Sequence, residues 1–155
     1  QVQGMRPIIG YNYGAGESSR VKSTIRYSLL TAAGLMLTGT ILALALPKQI
    51  LALFDADAAL MSAGVTALRI ISLGFLVSSV GLIYSGVFEA IGNGRNSLII
   101  SLLRQFVITI PLSFILTRFF GPTGVWISFP VGELCASAAA FCLLKKYQNG
   151  AFSPL

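Results

Sequence analysis

Four long stretches of the chain are almost empty of charge, separated by short connections that carry glycine, proline and the basic residues. From Tyr27 to Pro47 there is no Asp, Glu, Lys or Arg. From Ile70 to Phe88 there is again none; Arg69 and Glu89 mark the edges, and a helix start is expected near Ser62. The third run, about 97–119, holds Arg104 and Pro111, and the fourth, from about 124, holds Pro130 and Glu133 and closes on Lys145-Lys146. Crossing the hydrocarbon takes about 20 apolar residues. The pattern therefore predicts an all-α polytopic membrane protein whose transmembrane region, 27–147, holds four helices at about 27–47, 62–91, 97–119 and 124–146. Residues 1–26 read as the end of a preceding helix followed by a glycine-rich basic loop, and 148–155 as a tail. Proline inside the last two spans would damage a soluble helix, but membrane helices accept it where neighbours satisfy the freed carbonyl.

Composition agrees with a lipid solvent. The 155 residues are 55% hydrophobic and 10% charged, with a mean hydropathy of +0.81. Soluble domains carry about a quarter charged residues. The net charge of +6 would raise nucleic acid as a partner in a soluble protein. Here the basic residues fall at the ends of apolar runs, which topology explains, so no nucleic-acid partner is assigned. Arg6, Arg20, Lys22, Arg26, Arg95, Lys145 and Lys146 collect on one side of four alternating spans, and Lys48 and Arg118, with Asp55 and Asp57, on the other. Lys and Arg mark the cytoplasmic side, so both ends of the segment are expected to be cytoplasmic, the opening loop and the "GNGRN" turn with them. Asp57 suits the N-cap of the next helix, and Ile50, Leu51, Leu53 and Phe54 suit the membrane interface.

Catalytic chemistry finds little support. Histidine is absent, which removes the commonest general base and metal ligand. The spacing Gly10-x-x-x-Gly14-x-Gly16 is not the dinucleotide fingerprint. Cys135 and Cys142 lie about 10 Å apart along one helix, too far to bridge, and read as small packing residues. No enzyme activity, catalytic residue, cofactor or metal site is assigned. Two other features stand out. Gly74, Ser78, Gly81 and Ser85 form a small-residue stripe, echoed by Ser128, Gly132 and Ala136, and such faces let helices approach closely in lipid. Intramembrane charges mark function by default. Glu133 falls near mid-depth, about 17 Å from the cytoplasmic end at about 1.5 Å per residue. Arg104, about 10 Å in on the same scale, is its candidate partner. Glu133 and Glu89 are the candidate ion-coupling residues, with a structural ion pair to Arg104 as the plainer alternative.

"QGMRPIIGYNYGAGESSRVK", "FEAIGNGRNSLIISLLRQFVITIPLSFIL" and "GPTGVWISFPVGE" together resemble the carboxy-terminal half of the multidrug and toxic compound extrusion (MATE) antiporters. The first looks like that family's connection between the eighth and ninth helices, the second its tenth-to-eleventh junction, the third the start of its last helix. The resemblance covers nearly the whole chain. It implies that the four helices are part of a six-helix lobe, one of two in a twelve-helix transporter, and that the chain, which opens without an initiator Met, is a fragment of one. It further implies export of small organic, often cationic, compounds in exchange for sodium ions or protons by alternating access. The partners would be the remaining transmembrane helices and the lipid of a bacterial cytoplasmic membrane. Gly10, Gly14 and Gly16 would shape the cytoplasmic loop and Pro111 and Pro130 would kink their helices. Some branches place a coupling acid midway along the tenth helix, whereas Leu76 to Tyr84 has no carboxylate. A related flippase for lipid-linked saccharides and a four-helix membrane scaffold are the alternative functions.

Overall fold

The computed structural model describes residues 2–54 and 57–151; Gln1, Asp55, Ala56 and the last four residues of the expected tail lie outside the described residues. Within them the chain is helical and no strand occurs. The order is α1 (Val2–Gly14), α2 (Ser18–Ala45), the short α3 (Pro47–Ala52), α4 (Ala58–Ser72), α5 (Phe75–Ala90), α6 (Gly94–Leu102), a π-helical turn (Leu103–Thr109), α7 (Ile110–Phe120) and α8 (Pro122–Ala151). Three continuous helical stretches are long and apolar enough to cross a membrane: Ser18–Ala45, Gly94–Phe120 and Pro122–Lys146. A fourth span arises if Leu60–Ser72 and Phe75–Ala90 are taken together, bent by 53°.

The opening segment is more regular than its glycines suggest. Helix α1 runs through Pro7, Gly10 and Gly14, and the irregular turn is confined to the three residues before α2. Pro7 lies inside α1, where its missing N–H leaves the carbonyl of Gln3 without its usual partner. Gly10 is needed for proximity: a Cβ there would lie 3.0 Å from the carbonyl oxygen of Ala90. Gly14 meets nothing within 4 Å. Only Gly16, at φ +75°, takes the left-handed conformation. It closes α1 as a Schellman cap, with Glu17 N donating to Asn12 O at 2.9 Å and Gly16 N to Tyr13 O at 3.1 Å. Gly92 (φ +77°) repeats the device at the end of α5, where Asn93 N donates to Phe88 O at 2.8 Å and Gly92 N to Glu89 O at 3.1 Å. Arg20, Lys22 and Arg26 sit on the first turns of α2 instead of in a loop. Apolar counting marks only the lipid-immersed part of a helix that begins earlier.

The second break lies where the sequence shows a continuous apolar run. Leu73 and Gly74 separate α4 from α5, and the hydroxyl of Thr40 on α2 is shared between its own Met36 carbonyl at 2.9 Å and the carbonyl of Ser72 across the break at 3.1 Å. A carbonyl freed inside a membrane needs such a partner. Conversely, Pro111 does not bend its span beyond continuity. Proline cannot donate to the carbonyl four residues earlier and its ring crowds that carbonyl. The preceding turn widens to π geometry, with Ile110 N donating to Gln105 O, and α7 resumes with Pro111 in its first turn.

Helix α5 is the centre of the bundle, packed on α1, α2, α6 and α8. The stripe expected to need partners has them. A Cβ on Gly74 would lie 2.9 Å from Pro130 Cα, and one on Gly81 3.2 Å from Ser137 Oγ, both on α8. Ser137 also donates to the carbonyl of Val77 at 2.8 Å, and Ser85 bonds Ser97 of α6. The apolar core gathers near the α1–α2 and α5–α6 turns around Ile9, Val21, Ile83, Val87 and Phe88, all at most 1% exposed. The outward faces of α2 and α7 carry large exposed apolar groups such as Leu30, Leu35, Ile41, Phe114 and Phe119, as lipid or further helices require. Cys135 and Cys142 are free and exposed on α8.

Candidate functional site

Polar groups converge where α1, α5 and α6 meet the start of the π turn. A cavity of about 350 Å³ there is lined by Gln3, Arg6, Ser85, Glu89, Ser101 and Arg104 among apolar neighbours. Gly81 and Gly86 of α5 also line it.

Glu89, the second candidate ion-coupling residue, is tied to two other helices. Arg6 of α1 forms an ion pair with it through Nη2 and Oε2. Ser97 of α6 donates to Oε1 at 2.8 Å. With that proton engaged, Ser85 is the donor in the 2.7 Å contact between the two serine hydroxyls. A carboxylate with two strong donors is a cross-link between α1, α5 and α6. The Arg6 pair escapes sequence reading because the two residues are brought together only by the packing of α1 on α5.

Glu133 is held differently. Its Oε1 lies 3.5 Å from Nη1 of Arg104, a distance at which the charges attract but the hydrogen bond is weak. Its Oε2 is buried and has no protein hydrogen-bond partner among the described residues, as is true of Nε of Arg6. The side chains of Glu133 and Arg104 keep 22% and 31% of their exposure, so the pair lies inside the bundle but not sealed. Arg104 thus stands between the cavity, which it lines, and Glu133 behind it. The structure thus brings Arg104 and Glu133, named from sequence as candidate partners, into contact.

Backbone around the pair is arranged to bring it together. Thr109, 6% exposed, donates through Oγ1 to the carbonyl of Arg104 at 2.6 Å. Gly132, the neighbour of Glu133, is pressed against that threonine: a Cβ at Gly132 would collide with Thr109 Oγ1 and approach the Arg104 carbonyl at 3.7 Å. Pro130 lies one helical turn earlier on α8, and its missing N–H leaves the carbonyl of Trp126 without its usual partner. No cluster of three metal-ligating side chains occurs among the described residues.

Comparison with known proteins gives a consistent picture. A family model described as MatE matches residues 2–115. The multidrug export protein MepA of Staphylococcus saprophyticus is 28% identical over 138 residues, 88% of this chain and 30% of that protein. MepA of Staphylococcus aureus is 30% identical over the same extent. Among solved structures, the MATE multidrug transporter DinF-BH in complex with R6G superposes with a TM-score of 0.87 at 32% identity, covering 97% of this chain and 34% of that one. The inward-facing conformation of a multidrug resistance MATE family transporter of the MOP superfamily gives 0.91 at 20% identity, over 99% and 36%. The chain therefore spans about a third of the length of the relatives it matches.

Proposed function

This chain belongs to the MatE family and is an integral membrane protein, and on that premise we propose that it supplies the last four spans of a multidrug efflux antiporter. The complete transporter exports small organic, often cationic, compounds in exchange for sodium ions or protons, alternating access between two lobes. It works in a bacterial cytoplasmic membrane with both ends of this segment on the cytoplasmic side. The relatives, multidrug export proteins and a multidrug transporter in complex with R6G, support the substrate class.

Within this third of the transporter we assign ion coupling to Glu133. One observation carries the assignment: a carboxylate inside the bundle, paired at 3.5 Å to Arg104, keeps one buried oxygen without a protein partner. A charge at mid-membrane costs about 2.5–3.5 kcal/mol on insertion scales. A proton or a monovalent cation taken up at the free oxygen would relieve that cost and loosen Arg104, which then turns toward the cavity. Glu89 is the other carboxylate of the region, but its oxygens are both engaged. Its role is to hold α1, α5 and α6 together.

In the complete transporter, Glu133→Gln keeps the shape and cannot change charge. The coupling role predicts near-normal membrane abundance with gradient-driven dye efflux lost. If abundance falls and is restored by neutralising Arg104 as well, the pair is structural. Unchanged abundance and efflux at all pH values tested would remove Glu133 from the mechanism.

A further inference from the structure

Among the described residues, the other threonine hydroxyls bonded to their own helix reach the carbonyl four residues back: Thr24, Thr31, Thr38, Thr40, Thr66 and Thr117. Thr109 reaches five back, to Arg104, and at 2.6 Å. That register exists only because the turn Leu103–Thr109 is π-helical. Pro111 opens the turn, but proline alone does not fix where the extra residue is accommodated. The hydroxyl of Thr109 holds the carbonyl of the very residue whose guanidinium faces Glu133.

We infer that Thr109 is a positioning residue for the Arg104–Glu133 pair, locking the π turn in the register that aims Arg104 at Glu133. The inference rests on the coupling role proposed for Glu133. If the turn relaxed to α geometry, one residue would leave it and α6 would rotate by about 100° relative to α7, the angle per residue at 3.6 residues per turn. Arg104 could then not meet Glu133 from the same side. Gly132 completes the lock, since the absence of a side chain there lets α8 lie directly on the Thr109 hydroxyl and the Arg104 carbonyl. The hydroxyl, the carbonyl and the glycine backbone thus join the π turn to α8 one residue from the carboxylate. A π turn is also a place where a helix can change register at small cost, and such turns gather at functional sites.

The test uses the complete transporter and a fluorescent organic cation. Thr109→Val keeps the size and removes the hydroxyl; Thr109→Ser keeps the hydroxyl. A single hydrogen bond contributes roughly a fivefold change in equilibrium. Thr109→Val is expected to lower the maximal rate of gradient-driven efflux about fivefold on that basis, with membrane abundance and the dye concentration for half-maximal rate unchanged. Thr109→Ser should restore the rate, and Thr109→Val should add nothing in an Arg104→Gln background that retains measurable efflux. Wild-type efflux by Thr109→Val, or an undiminished further loss in the Arg104→Gln background, overturns the positioning role. So does a low abundance in Thr109→Val that Thr109→Ser shares, because a packing defect would then explain the loss. These outcomes are separable from failure of the coupling assignment, which shows instead as unimpaired efflux by Glu133→Gln.

Discussion

Gly74 offers a clean test of how closely the central helix lies on the last one. Its backbone, at φ −79° and ψ −18°, is open to any residue, so a substitution there reports packing and not backbone conformation. The Cβ of Gly74→Ala would be placed 2.9 Å from Pro130 Cα and 3.2 Å from Pro130 Cβ. Carbon atoms settle at about 3.5–4.0 Å, so α5 and α8 must separate by ~0.6 Å or more at this point. The obstacle is the backbone of a proline, which cannot rotate aside. Overpacking of this kind costs about 1–3 kcal/mol, and alanine gains nothing over glycine at an N-cap position. Gly34 is the control: it lies mid-way along α2 with nothing within 4 Å of a Cβ. Gly34→Ala should be neutral or stabilising by roughly 0.5–1 kcal/mol through helix propensity. The assay is the thermal unfolding midpoint of the complete transporter in detergent, with folded yield from membranes as a second readout. Gly74→Ala should lower the midpoint and Gly34→Ala should not. A Gly74→Ala protein as stable as the parent would refute the claim that the two helices touch backbone to backbone.

Two further substitutions test the periphery and the topology. Asp57 caps α4, accepting from Leu60 N at 2.7 Å, so Asp57→Ala should cost about 1 kcal/mol, while Asp57→Asn should be mild; equal losses in both would exclude a capping role. Single cysteines at Ser18 and Asn93, in a cysteine-free background, should be shielded from an impermeant reagent added outside intact cells, and one at Gln49 in α3 should label. Labelling at Asn93 from outside would invert the orientation.

What the sequence disclosed follows from which effects are local. Long charge-free runs announce membrane helices whatever surrounds them, and the small residues Gly74 and Gly81 mark a contact face because lipid offers no other reason for the pattern. Arg104 and Glu133 are legible by the same logic, since two opposite charges within apolar runs have few ways to be satisfied. The break at Leu73–Gly74 is not legible. What accommodates it is tertiary, a carbonyl freed on one helix and met by Thr40 on another. The glycine-rich opening misleads in the opposite direction: glycine lowers helix propensity, but packing of Met5 and Ile9 into the core holds α1 as a helix to Gly14. The response to Pro111 was foreseen as a kink. A π turn is the alternative that a membrane span can adopt without losing its course, and sequence gives no rule for choosing between them. The Arg6–Glu89–Ser97 cross-link depends on the placement of three helices at once.

The most direct measurement of the central claim compares two modes of transport by one variant in proteoliposomes. The complete transporter carrying Glu133→Gln is reconstituted and tested first with an imposed proton or sodium gradient, then for exchange of labelled against unlabelled dye with no gradient. Coupling through Glu133 predicts that gradient-driven accumulation disappears while dye exchange continues, because binding and the lobe movements survive without the ion. Gradient-driven accumulation at the parent level, with exchange also intact, would contradict the account.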